Sequence, residues 1–155
     1  MLINKYSYLN LYNLNVEVNY SFIDLFLGRS IGGLATSNIL IIIICYIILS
    51  FTPYKKEIPI IASFSYFITL LIYSLLFKSD IILNIVNMFS GEFMYGVVFI
   101  ASISHFSPIS PKYRAIYAIF IGILSFIFSI IFNIYEGVFI AIIVSNIIIY
   151  LYKLI

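Results

Sequence analysis

Long apolar stretches alternate with short polar connectors along most of this chain. Five apolar segments follow one another, and they are Ile31–Phe51, Ile58–Phe77, Gly91–Phe106, Ala115–Phe132 and Glu136–Leu154. A helix needs about 20 residues, with a range of about 17–25, to cross a bilayer, so four of these segments are long enough. The pattern predicts an all-α integral membrane protein of about five transmembrane helices. We expect residues 1–24 to form a polar extra-membrane arm and residues 25–155 to form the five-helix membrane domain.

The third segment differs from the others. Its uninterrupted apolar core is only Phe93–Ile103, and Ser107-Pro108-Ile109-Ser110-Pro111-Lys112 follows it. A proline lacks the backbone N–H and pushes the residue before it out of the helical region. We therefore predict a short or broken helix, an extended corner at Ser107–Pro111, and close backbone packing at Gly91 and Gly96.

Composition supports a membrane protein and excludes several other classes. The chain is 64% hydrophobic and 9% charged, with a mean hydropathy of +1.18, whereas soluble domains carry about 25% charged residues. The formal charge of +2 comes without a basic tract, so nucleic acid is not an expected partner. The single cysteine, Cys45, lies in an apolar run and is interpreted as a small buried hydrophobe. No metal-ligand cluster, phosphate loop or nucleophilic triad is visible, and we expect a multi-pass protein of the cell's inner (plasma) membrane.

The distribution of basic residues predicts an orientation. With five spans, one side receives Lys55, Lys56, Lys112, Arg114 and Lys153, and the other receives Lys5, Arg29 and Lys78. This asymmetry favours an N-terminus outside and a C-terminus in the cytoplasm.

Four polar residues are candidates for chemistry inside or beside the membrane. Glu136 precedes the fifth segment and Glu92 begins the third, and a carboxylate at a helix N-terminus is stabilised by free backbone N–H groups. Glu136 is also a candidate ion- or proton-relay acid. Asn146 lies inside an apolar run and needs an internal partner. It either forms a hydrogen bond between helices or contacts an ion or cofactor. His105 is interpreted as a hydrogen-bonded structural residue.

Three groups of residues, taken in order, resemble a known family. The first is Asp24-Leu25-Phe26-Leu27-Gly28-Arg29 with Gly32-Gly33-Leu34-Ala35-Thr36-Ser37. The second runs from Ser90-Gly91 to the double-proline corner, and the third is Tyr135-Glu136-Gly137-Val138 followed by Asn146. From about Asp24 onward the chain resembles the C-terminal half of the D subunit of the Rnf electron-transport complex. The B subunit of sodium-pumping NADH:quinone oxidoreductase is a close relative of that subunit.

The resemblance implies a fold and a function. The family has ten spanning helices in two related halves, so this chain corresponds to one half. It implies a membrane subunit, or a split or truncated half of one, in an ion-translocating, flavin-dependent electron-transport complex. Any enzymatic role is then that of one subunit in an oxidoreductase. The implied partners are the other membrane subunits, including a separate N-terminal-half chain, and the lipid bilayer.

The implied cofactors are FMN and riboflavin, and the implied cofactor contacts are Gly32, Gly33, Thr36, Ser37, Ser90 and Gly91. The family attaches FMN to a threonine in a Ser-Gly-Ala-Thr sequence, which this chain lacks, so we do not expect covalent FMN here. The family's Gly-Glu-Thr-Ser reads Ala35-Thr36-Ser37-Asn38, without the acid. The alternative is therefore a degenerate, non-catalytic membrane protein without electron-transfer activity, and a small channel or transporter is a third, weaker reading.

Overall fold

Helices make up the regular structure of the part of the chain that can be described. The computed structural model describes residues 38–78, 85, 88–89, 92–103, 107–132, 134 and 136–154. Its elements are α1 (Ile39–Leu49), α2 (Glu57–Phe77), α3 (Glu92–Tyr95) continued by the π-helix π1 (Gly96–Ala101), α4 (Pro111–Phe126) continued by the π-helix π2 (Ile127–Ile131), and α5 (Gly137–Leu154). These five helical regions confirm the all-α prediction. The arm predicted for residues 1–24 lies outside the described residues.

Two of these helical regions are long and apolar enough to cross a bilayer, namely α2 and the continuous Pro111–Ile131. The first apolar segment was drawn as Ile31–Phe51, but the helix within it, α1, covers only Ile39–Leu49. Asn38 has an extended backbone (φ −111°, ψ 94°), and its side chain accepts a hydrogen bond from the Ile41 amide, so α1 begins at Ile39. Its 11 residues span about 16 Å, which is roughly half of the hydrocarbon core.

The irregular third segment was predicted correctly. After α3 the backbone changes at Gly96 to the wider π-helical winding and ends at Ala101. Ser107–Ser110 is not helical, and Ser110 is extended (φ −73°, ψ 134°). Pro111, which we had placed in the corner, is instead the first residue of α4, where its missing N–H breaks no hydrogen bond.

Helices α2 and α4 are parallel, and they form the largest contact of the described bundle. Glu57 pairs with Arg114 at their first turns, and farther along Ser65 donates to the carbonyl of Ile119. Gly122 allows the closest approach, because a Cβ there would lie 2.4 Å from the Ala62 carbonyl oxygen. Since both helices start at the same end, the chain between them must return along the bundle. The third segment makes at least part of that return.

Helix α5 runs antiparallel to α4, and its first turn lies between the two π-helices. A Cβ on Gly137 would meet the Ser129 side chain of π2 at 2.8 Å, and a Cβ on Gly96 would meet a Val138 methyl at 2.8 Å. The Gly137-Val138 step therefore packs against both π1 and π2. This explains the close packing predicted at Gly96, while Gly91 lies outside the described residues.

The core is aromatic at its centre, and the outer surface is apolar. The Tyr66 ring lies 4.6 Å from that of Phe93 and 5.4 Å from that of Phe126, centroid to centroid. On the outside, large side chains such as Phe64 and Leu75 are 66% and 79% exposed. An exposed apolar belt of this kind suits contact with lipid or with other membrane subunits.

Candidate functional site

The structure describes three of the residues considered for chemistry, namely Glu92, Glu136 and Asn146. Glu92 is the first residue of α3, as expected for a carboxylate at a helix N-terminus. Gly32, Gly33, Thr36, Ser37, Ser90 and Gly91, the six cofactor candidates, all lie outside the described residues, as does His105. The two ion-relay candidates, Glu136 and Asn146, are described. They lie ten residues apart on the same helical segment, a separation of about 15 Å along the axis. They therefore do not share one site.

Glu136 lies immediately before α5 with an exposed side chain. Its carbonyl accepts a hydrogen bond from the Phe139 amide. This position matches the interpretation of Glu136 as a carboxylate at a helix N-terminus, where negative charge is stabilised. Its role as a relay acid stays a prediction.

Asn146 has an internal partner, as its position inside an apolar run requires. Its Nδ2 donates to the hydroxyl of Tyr117 at 3.4 Å, and Tyr117 is fully buried. This bond joins the middle of α5 to the second turn of α4. Sequence reasoning expected a partner but could not identify it, because the two residues lie 29 positions apart.

Further hydroxyl groups lie inside the same bundle. Ser125 of α4 and Ser145 of α5 are fully buried, and among the described residues neither hydroxyl has a hydrogen-bond partner. A buried hydroxyl without a partner is costly and is commonly satisfied by a water or a ligand. The interior between α4 and α5 therefore carries polar groups as well as apolar packing.

A lysine holds the double-proline corner in place. The Lys55 ammonium donates to the carbonyl of Ser107 at 2.8 Å, to the Ser107 hydroxyl at 2.6 Å and to the carbonyl of Pro108 at 3.2 Å. Prolines and an extended backbone leave these carbonyls without helical partners, so a lysine from the neighbouring loop satisfies them. We call the contact of Lys55 with Ser107 and Pro108 the corner clamp.

Two tyrosines extend the contact between this loop and its surroundings. The Tyr54 hydroxyl donates to the carbonyl of Val98 in π1, and the Tyr46 hydroxyl donates to the carbonyl of Lys56 at 3.0 Å. Directly after π1, the Ser102 hydroxyl donates back to the carbonyl of Val97 at 2.8 Å. Side-chain hydroxyls therefore bind two successive carbonyls of the π-helix, which fixes its unusual winding.

An ion pair closes the same end of the bundle. Arg114 Nη1 lies 3.3 Å from Glu57 Oε2, and the two side chains are 18% and 52% exposed. The Nε of Arg114 is buried and has no partner among the described residues. The pair links the first turns of α2 and α4 next to the corner clamp.

Burial shifts the titration of two groups in this region. Burial raises the pKa of Tyr54 to about 12, with a smaller contribution from Tyr46 and an opposing one from the Ser102 hydroxyl. Tyr54 therefore remains a protonated donor well above neutral pH. Burial, and then the charge of Arg114, lower the pKa of the Lys55 ammonium, while Glu57 opposes them.

The contacts at this end were not predicted from the sequence. In the sequence analysis Lys55 and Arg114 served only to predict orientation, and Tyr54 was not singled out. One signal was available, because the charge count placed Lys55, Lys112 and Arg114 on the same side. The structure brings Lys55 and Arg114 together around the corner, so the loop before α2 and the corner before α4 form one connected unit.

Comparison with known proteins identifies the family. A family model described as the NQR2, RnfD, RnfE family matches residues 3–153. No curated protein and no solved structure matches the chain. The family match covers nearly all of the 155 residues, and it agrees with the motifs at the corner and before α5. The chain therefore belongs to the NQR2, RnfD, RnfE family of membrane subunits of Rnf- and Nqr-type electron-transport complexes.

Proposed function

We propose that this chain is a membrane subunit of a flavin-dependent complex that couples electron transfer to the movement of an ion across the membrane. The family match over residues 3–153 is the observation that carries the proposal. Within the complex the chain contributes one five-helix unit, which packs against a second such unit and against the other membrane subunits. The exposed apolar belt of α2 provides surface for these contacts.

The irregular segment supports a role beyond simple anchoring. Two π-helices, π1 and π2, lie in neighbouring segments, and both pack against the first turn of α5. π-Helical insertions occur often at functional sites. In membrane proteins, non-helical backbone is found where it is enclosed by protein or lines a cavity. Tyr54, Ser102 and Lys55 satisfy the carbonyls that this irregularity frees. The chain thus maintains a defined broken segment inside its membrane domain.

Polar groups inside the bundle support the ion-coupling part of the proposal. Asn146, Ser125 and Ser145 place an amide and two hydroxyls in the interior of α4 and α5. Polar groups at membrane depth are costly and mark ion pathways in many transport proteins. In this proposal Glu136, as a relay acid, lies at the N-terminal end of α5, outside this interior.

Purification from native membranes tests the proposal. The full chain carries an affinity tag and is extracted in a mild detergent, and the eluate is examined for mass, flavin and partner chains. We expect the 17.8 kDa chain in a larger assembly that contains flavin and further membrane subunits. A degenerate, non-catalytic protein would instead elute without flavin and without these partners, and that result would reject the proposal.

The state of any flavin is read from the same sample. We expect no covalent FMN on this chain, because the Ser-Gly-Ala-Thr sequence is absent and Thr36 lies in the glycine-rich sequence after Arg29. In-gel fluorescence under denaturing conditions, after co-expression with a flavin transferase, measures this. A fluorescent band at the mass of this chain that disappears in Thr36→Val would contradict the expectation.

A further inference from the structure

An apolar groove lies between α1 and α2. It has a volume of about 410 Å³ and is open along one side. Ile43 of α1 and Ile60 of α2 form opposite walls, and Met94 and Val98 of the third segment form its floor. The hydroxyl of Ser63, one of the few polar groups along it, is turned to the sulfur of Met94 at 3.9 Å. The groove therefore accepts an apolar group and offers little to a polar one.

One end of this groove meets the basic edge of the bundle. Tyr46 and Pro59 line the groove, and the Tyr46 hydroxyl donates to the carbonyl of Lys56, so the backbone of Lys56 adjoins this end of the groove. The side chain of Lys56 is exposed. Because Glu57 pairs with Arg114, the acidic residue beside Lys56 is already compensated. The groove is thus apolar along its length, and an exposed lysine adjoins one end of it.

We propose that the groove binds one anionic phospholipid, with an acyl chain along α1 and α2 and the phosphate at Lys56. The volume lies within the range of about 300–1,000 Å³ that small-molecule sites occupy. The match is one of charge and polarity, since a phospholipid joins a long apolar chain to a negative group at the membrane surface. A lysine near the membrane surface favours an anionic over a neutral headgroup by about fivefold.

A second groove in the same molecule provides a matched control. It has the same volume of about 410 Å³ and is lined by Ile68, Ile72 and Ile123 among others, on another face of α2. Like the first groove, it is lined by no basic residue of the described part of the chain, but none of its lining residues is hydrogen-bonded to Lys56. It tests whether an apolar groove of this size retains lipid without that contact.

Native mass spectrometry identifies, by mass, the lipids that the chain retains. The full chain is placed in nanodiscs containing equal amounts of phosphatidylglycerol and phosphatidylcholine with identical acyl chains. We expect one retained phosphatidylglycerol per chain, preferred about fivefold over phosphatidylcholine. Lys56→Gln should remove this preference, and Ile43→Trp should remove the retained lipid by filling the groove. The controls Lys112→Gln and Ile72→Trp should change neither.

Several results would overturn the proposal. Equal retention of both lipids would show nonspecific binding to an apolar surface. An equal loss of preference in Lys112→Gln and in Lys56→Gln would show a general effect of positive charge. Retention unchanged in Ile43→Trp would show that the lipid lies elsewhere. Soluble glycerol phosphate is added as a competitor. Displacement of the lipid by it would show a phosphate site rather than a phospholipid site.

Discussion

The ammonium of Lys55 contacts Ser107 twice, at 2.8 Å from its carbonyl oxygen and at 2.6 Å from its hydroxyl oxygen. The two residues are 52 positions apart in the sequence. This contact joins the loop before α2 to the corner before α4. Helices α2 and α4 are parallel and both begin at this end. The clamp therefore fixes the position of the corner through which the chain passes from the third segment into α4.

Removing the clamp should loosen the corner. Lys55→Met keeps much of the side chain's apolar length and deletes the donors to Ser107 and Pro108. We expect a loss of about 1–2 kcal/mol in the free energy of unfolding, since hydrogen bonds to charged groups contribute more than neutral ones but this site is partly exposed. Unfolding in detergent micelles measures it.

Lys56→Met is the matched control, because only the backbone carbonyl of Lys56 takes part in a hydrogen bond to Tyr46. It should leave the free energy of unfolding unchanged. Equal effects of the two substitutions would show that charge at this end, and not the clamp, determines stability.

The crossing of α2 and α4 depends on Gly122. A Cβ at this position would lie 2.4 Å from the Ala62 carbonyl oxygen and 2.8 Å from the Tyr66 amide nitrogen, which are backbone atoms that cannot turn away. We expect Gly122→Ala to cost about 1–3 kcal/mol by forcing the helices apart. Thermal unfolding in detergent tests this. Ile119→Ala, on an exposed face of α4, should cost less, and the reverse order would contradict the described crossing.

The bond between Asn146 and Tyr117 should appear as a coupling energy. Asn146→Leu and Tyr117→Phe are measured singly and together in a double-mutant cycle. Because such bonds inside membrane proteins average about 0.6 kcal/mol and reach about 1.7 kcal/mol, we expect coupling in that range. Additive single effects would show that the two side chains do not interact. The 3.4 Å distance favours the lower part of the range.

Tyr54 predicts a dependence of stability on alkaline pH. Burial raises its pKa from 10.0 to about 12, so between these values the unfolded state releases the proton while the folded state keeps it. Stability should therefore be fully present below pH 10 and fall as the pH rises toward 12. Tyr54→Phe should show a shallower fall over this interval, measured by unfolding at pH 9, 10 and 11. Identical slopes would mean that Tyr54 is not buried against π1.

Local backbone chemistry made part of this fold predictable from the sequence. Pro108 and Pro111 stop helical hydrogen bonding, so the break after the third segment followed directly. Pro59 lies in the first turn of α2, where its missing N–H breaks no helical hydrogen bond. The first helix was drawn too long, because hydropathy cannot show that Asn38 turns its backbone out of the helix and caps Ile41.

The remaining features depend on contacts between distant residues. The π-helices at Gly96 and Ile127 carry no residue signature, since ordinary apolar residues form them. The corner clamp and the bond of Asn146 to Tyr117 arise only when separate helices pack. Glu136 and Asn146 looked alike in the sequence, as polar residues at or in one helix. In the structure Glu136 is exposed at the helix terminus, whereas Asn146 is bonded to the buried Tyr117.

Ion accumulation by inverted membrane vesicles tests the proposed function most directly. Vesicles from cells that lack this chain are compared with vesicles in which it is restored, and electron donors for the respiratory membrane are supplied. Sodium uptake and internal acidification are followed together, so either ion is detected. The account predicts that electron transfer drives uptake of one ion only when the chain is present. Equal uptake in both preparations would contradict it.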